Sequence, residues 1–176
     1  MYLVRRINLD RWEPVDGFPS PEVPAELLFS EFRAKGNSLS LWTATDDVQQ
    51  LEETALAIVS AFSKLETFDL VWFPQGDLQA AKVELTHTDG HTRIESLKKR
   101  HVDAARLDAY RLAHVAHAVA TAVAAQRYRR FTKAEAADLL LSATEKGAVG
   151  ASSLPKDLQN EIEAARERRS TSTEGR

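Results

Sequence analysis

The alternation of apolar and polar positions changes period several times along the chain, and each change predicts an element. Residues 2–7 (YLVRRI) are β-prone and short, and read as a strand. Residues 11–24 hold four prolines and a glycine, an irregular connection. Pro24 suits the first turn of a helix, where its missing N–H costs nothing. That helix is expected to run to about Lys35, with Gly36 as its C-cap and Ala25, Leu28, Phe29 and Phe32 on its apolar side. Residues 38–45 (SLSLWTAT) read as a strand, followed by Asp46 as a helix cap. Over about 47–64, Val48, Leu51, Ala55, Ile58, Val59 and Phe62 recur at helical spacing. Residues 67–73 (TFDLVWF) form another apolar strand, stopped by Pro74-Gln75-Gly76-Asp77.

Residues 78–85 fit either a helical turn or a further strand, and 86–92 (THTDGHT) read as a loop. From Ile94 the spacing turns helical and holds to about Arg129, with a break near His101–Asp103. Thr132 and Glu135 make a capping box for a helix ending at Gly147. Ser153 and Pro155 start a last helix, to about Arg168. The tail 170–176 has no apolar residue to pack and is expected to be disordered. Strand–helix–strand–helix–strand implies crossovers, which set strands parallel. The predicted fold is therefore α/β: a small three-stranded parallel sheet with two helices, followed by an α-helical C-terminal half. Trp42 and Trp72 are expected on neighbouring strands.

Between Asp103 and Arg129 the pattern has two faces. Leu112, Val115, Ala116, Val119, Ala122 and Val123 are spaced as a buried seam. Tyr110, His114, His117, Thr121, Ala124 and Tyr128 form a second stripe nearly opposite. Tyr and His combine an apolar body with a polar tip, so this stripe suits contact with another chain.

Charge divides the chain. Residues 1–92 carry seven Lys and Arg against fifteen Asp and Glu, and residues 93–176 carry sixteen against eleven. This suggests an acidic α/β subdomain at 1–92, a basic helical subdomain at 93–169 and the tail at 170–176. The chain has no cysteine, which excludes disulfides, a thiolate nucleophile and cysteine-based metal centres. Arg5 and Arg6 are followed by Asn8, Asp10 and Glu13, not by a signal-peptide core. The Ala- and Val-rich run 115–125 is too short to cross a membrane. A cytoplasmic protein without membrane partners is expected.

Three clusters carry candidate chemistry. His87, Asp89 and His91 could ligate a metal ion, giving a metal-dependent enzyme, although their spacing matches no established metal motif. A related acidic candidate comprises Asp10, Asp46, Asp47 and Asp77 after the strands. Arg127, Arg129, Arg130 and Lys133, interleaved with Tyr128 and Phe131, could bind nucleic acid together with Lys98, Lys99 and Arg100. Phosphate-cradling glycine motifs and nucleophile elbows are absent, and nothing in the sequence pairs a nucleophile with a base. The expected function is a non-enzymatic accessory or adaptor protein without a cofactor. It would bind an unidentified protein partner through Tyr110, His114, His117, Thr121 and Tyr128, with nucleic-acid binding as the alternative.

Overall fold

A computed structural model of the chain describes residues 1–12, 22–32, 36–45 and 47–174, the last three as backbone only. Most of the proline-rich connection, the expected end of the first helix at 33–35, the expected cap Asp46 and residues 175–176 lie outside the described residues. Six strands form one sheet: β1 (Tyr2–Ile7), β2 (Leu39–Ala44), β3 (Phe68–Pro74), β4 (Glu84–His87), β5 (His101–Ala105) and β6 (Tyr128–Phe131). Their spatial order is β4-β5-β2-β1-β3-β6, and every neighbouring pair is antiparallel.

This corrects the expected three-stranded parallel sheet. β2 and β3 do point the same way, because each runs antiparallel to β1, as the crossover between them requires. β1 lies between them. Trp42 and Trp72 are thus not on adjacent strands; both stand opposite Val4.

The expected helical C-terminal half is corrected as well. The stretch read as one long helix contains a 3₁₀ turn (Glu95–Arg100), β5, the helix α4 (Ala109–Ala124) and β6. Ala104, Ala105, Arg129 and Arg130 favour helix locally, and the helical spacing on either side carries a helical reading through these short segments. Pairing decides otherwise: β5 lies between β2 and β4, and β6 pairs with β3. Strands from both sides of residue 92 thus share one sheet.

Helices cover both faces of the sheet. Side chains alternate along each strand, so Val4, Trp42, Phe68, Leu70 and Phe131 enter one core, and Leu3, Leu41, Val71, Phe73 and Val102 enter the other. The first core is closed by α2 (Val48–Val59), α5 (Lys133–Glu145) and α6 (Lys156–Glu174). The second is closed by α1 (Ala25–Glu31), α3 (Gln75–Ala80) and α4. The segment read as a turn at Pro74–Asp77 begins α3. Asp47 caps α2 by accepting from the Gln49 N–H at 2.9 Å. The capping box of Thr132 and Glu135 opens α5, and its hydrogen bonds from Thr132 hold the Glu135 carboxyl below the usual carboxylate range. α6 continues to Glu174, past Arg168. No helix among the described residues is long and apolar enough to cross a membrane.

The charge asymmetry of the sequence is largely satisfied within the fold. Arg100 pairs with Glu53 at 2.7 Å, Arg129 with Glu52 at 3.0 Å and Arg106 with Glu84 at 3.4 Å. Arg130 bridges the buried Asp69 at 2.7 Å and Asp10 at 2.6 Å. Each pair joins the basic rear of the chain to its acidic front.

Candidate functional site

Cross-strand pairing builds a polar chain that linear spacing does not show. Ser40 on β2 stands opposite Asp103 on β5, and His101 lies two residues from Asp103 on the same face. Ser40 Oγ is 2.5 Å from His101 Nε2, Thr88 Oγ1 is 2.7 Å from His101 Nδ1, and Thr88 Oγ1 donates to Asp103 Oδ2 at 2.9 Å. These bonds fix the tautomer. A carboxylate only accepts, so the single Thr88 hydroxyl proton goes to Asp103. Thr88 must then accept from an N–H at His101 Nδ1. That leaves Nε2 as an acceptor facing the Ser40 hydroxyl.

His101 is 7% exposed, and burial holds its pKa below the ordinary histidine value; nearby His91 pushes the same way, while Asp103 and the Thr88 backbone oppose. The ring is therefore neutral at pH 7. It meets the Trp42 ring edge-on at 5.0 Å between centroids. Gly90 closes the loop over both: a Cβ there would come within 2.5 Å of Trp42 Cη2 and 2.8 Å of His101 Cβ. The loop is tied to the end of α2 by Ser60 Oγ, which bonds Thr92 Oγ1 at 2.9 Å and accepts from the Arg93 N–H at 3.0 Å.

Ser40 is exposed and opens into a cavity of about 320 Å³. Trp42, Ile58, Ala61 and Phe62 form its apolar walls, and Arg5, Arg6 and His91 line it as well. The Arg6 guanidinium lies 4.6 Å over the Phe62 ring and pairs with Glu66. On the opposite face of the sheet, the Arg5 guanidinium donates to the Ser40 carbonyl at 3.0 Å; burial lowers its pKa to about 10, against the pull of Glu31.

The second surface is the outer side of α4. The expected seam is turned inward, with Val115, Ala116, Val119 and Ala122 buried and Leu112 and Val123 half-buried. Tyr110, Ala113, His117, Thr121 and Ala124 face solvent, with His114 half-buried among them. The Tyr110 and His114 rings meet edge-on at 4.4 Å. Tyr128 is not part of this stripe. The helix ends at Ala124, and Tyr128 sits in β6 against the second core. From Leu112 through Gln126 there is no Asp, Glu, Lys or Arg.

The remaining candidate residues are scattered. Lys98 pairs with Glu95, Arg100 with Glu53, Arg129 with Glu52, Arg130 with Asp69 and Asp10, and Lys133 with Glu161. Only Lys99 and Arg127 of that set make no ion pair among the described residues. Arg129 and Arg130 also alternate to opposite faces of β6: Arg129 lies over Phe131 of the first core, and Tyr128, beside the second core, shares its face with Arg130. His87 ends β4, and Asp89 and His91 lie exposed in the following loop. No three His, Asp or Glu side chains converge to hold a metal ion among the described residues. Asp10 is held by Arg130, Asp47 caps α2 and Asp77 lies in the first turn of α3, so these aspartates are dispersed. A larger cavity of about 550 Å³ lies between α2 and α5, with Leu56, Ile94, Leu97 and Leu139 inside and Glu52, Glu53 and Lys146 at its rim.

Sequence reasoning missed the Ser40–His101 pair, because 61 residues separate its members. The available signal is a histidine at the start of a short segment of alternating burial, where the helical spacing breaks. No protein-family model, no curated protein and no solved structure matches the chain.

Proposed function

We propose that this protein is an accessory or adaptor protein that binds another protein chain through the outer face of α4. The observation that carries this reading is an exposed helical face without a formal charge over the whole run Leu112–Gln126. Surface helices ordinarily carry charged residues on their solvent side. The partner that fits is an uncharged, apolar helix or loop, since a charged group brought here would lose water and gain no counter-charge. Ala113 and Ala124 allow close backbone approach, and the Tyr110–His114 ring pair offers an aromatic anchor. Phe29, 74% exposed on the neighbouring α1, adds apolar surface to the same helical layer.

The test is site-specific photo-crosslinking in the native host, with the crosslinker replacing His117 or, as a control, Glu163 on α6. One discrete protein adduct from position 117 and none from 163 is expected. No adduct from 117, or the same adducts from both positions, overturns the proposal.

A further inference from the structure

We propose that Ser40 is a nucleophile toward small esters with an apolar acyl group, with His101 as its general base and Thr88 and Asp103 as positioning residues. The inference goes beyond the binding role of α4 and rests on a different part of the molecule. Three observations carry it. The Ser40–His101–Thr88–Asp103 hydrogen bonds run in one direction, leaving the Nε2 lone pair of a neutral imidazole on the hydroxyl. This is the arrangement that activates a serine: the base within hydrogen-bond reach, and a third group fixing its tautomer. Ser40 is also the exposed end of the chain, whereas His101 is shielded by Trp42 and Gly90. Finally, Ser40 lines a cavity of about 320 Å³, at the lower end of small-molecule sites. Its Trp42, Ile58, Ala61 and Phe62 walls suit an apolar acyl group, and Arg6 supplies a cation for a carbonyl oxygen becoming negative.

The chemistry balances with water as the second reactant. The Ser40 proton moves to His101 Nε2 as Oγ bonds to the ester carbonyl carbon. The carbon–oxygen bond to the alcohol then breaks, and that oxygen takes the proton from Nε2. Water next loses a proton to Nε2 and attacks the acyl-serine. Oγ leaves, recovers the proton, and the carboxylic acid is released.

The test treats the purified full chain with a short-alkyl fluorophosphonate, which phosphonylates activated serines, and maps the adduct by peptide mass spectrometry. Hydrolysis of p-nitrophenyl butyrate is followed in parallel. Ser40 should be modified at least ~100-fold faster than exposed Ser152, the gain a positioned base typically supplies. Ser40→Ala should abolish both signals, and His101→Gln should lower them ~100-fold or more. His101 is buried, so Thr88→Val provides an arm independent of any folding defect at that position. It should lower both rates ~10-fold or more, and Thr88→Ser should restore them, which a merely space-filling role for Thr88 would not do. Labelling of Ser40 at the rate of Ser152 overturns the proposal. So does a rate unchanged by Thr88→Val in protein with native melting behaviour.

Discussion

Helices α4 and α6 each bury one side against the sheet assembly, yet their outer sides differ. On α6 the solvent side is charged. Glu163 pairs with Arg166 at 2.8 Å, Glu161 with Lys133 at 2.5 Å, and Arg169 with Glu145 at 3.3 Å. Such exposed pairs contribute only about 0–1 kcal/mol each, so their main effect is to keep that face hydrated. On α4 the charged residues stop at Arg111, which pairs with the N-cap Asp108, and beyond it the outer face holds Tyr, His, Thr and Ala. The same fold thus treats two surface helices differently. The inner faces explain why each helix is present; the outer faces differ in charge, with paired ions on α6 and none beyond Arg111 on α4.

The comparison breaks most severely if the inner faces are not equivalent anchors. Leu158 of α6 and Val119 of α4 are both fully buried. Leu158→Ala should cost about 2–5 kcal/mol in urea unfolding. Val119→Ala should cost about 2 kcal/mol, from two lost methyl groups plus the space they leave. A Val119→Ala variant of native stability would mean that α4 is not seated as described.

A smaller effect separates the two helical layers by pH. Below the sheet face covered by α2, α5 and α6, His101 has a pKa lowered chiefly by burial. The unfolded chain therefore takes up this proton at higher pH than the folded chain does. The resulting stability is present above about pH 6.5, the ordinary histidine value, and is lost as pH falls through the lowered folded value. Unfolding titrations across that window should show stability falling with acid, and His101→Gln should flatten the slope. An unchanged slope would place the acid sensitivity elsewhere.

The least perturbing changes are on the outer faces themselves. Ala113→Arg on α4 and Glu163→Arg on α6 should each alter stability by less than about 0.5 kcal/mol, since both positions are exposed. A marked loss of melting temperature for Ala113→Arg alone would show that this part of α4 is internal.

Individual elements were legible in the sequence but the fold was not, for reasons that vary by element. β1, β2 and β3 carry their own signal in short apolar runs, α2 carries its own in periodicity, although its cap is Asp47 and not the expected Asp46, and α5 in its capping box. The α4 seam was legible because it depends on spacing within a single helix. Sheet order was not, since nothing local places β1 between β2 and β3. β5 and β6 were lost because Ala104, Ala105, Arg129 and Arg130 favour helix locally, and only pairing with β2 and β3 overrides that preference. The Tyr128 assignment failed with β6: a stripe drawn through an assumed helix carried it to the wrong surface. The charge division was visible, but its meaning was not. Arg100, Arg129 and Arg130 find their carboxylates at Glu53, Glu52 and Asp69, contacts between segments far apart in the chain. The Ser40–His101–Thr88–Asp103 chain was hidden for the same reason.

The contrast between α4 and α6 is tested most directly by affinity purification of the full chain from its native host after nuclease treatment, comparing the native sequence with Ala113→Arg and Glu163→Arg. One protein should co-purify with the native chain and with Glu163→Arg, survive nuclease, and be lost with Ala113→Arg. Co-purification that persists with Ala113→Arg, or that disappears with nuclease, would contradict the proposed role of α4.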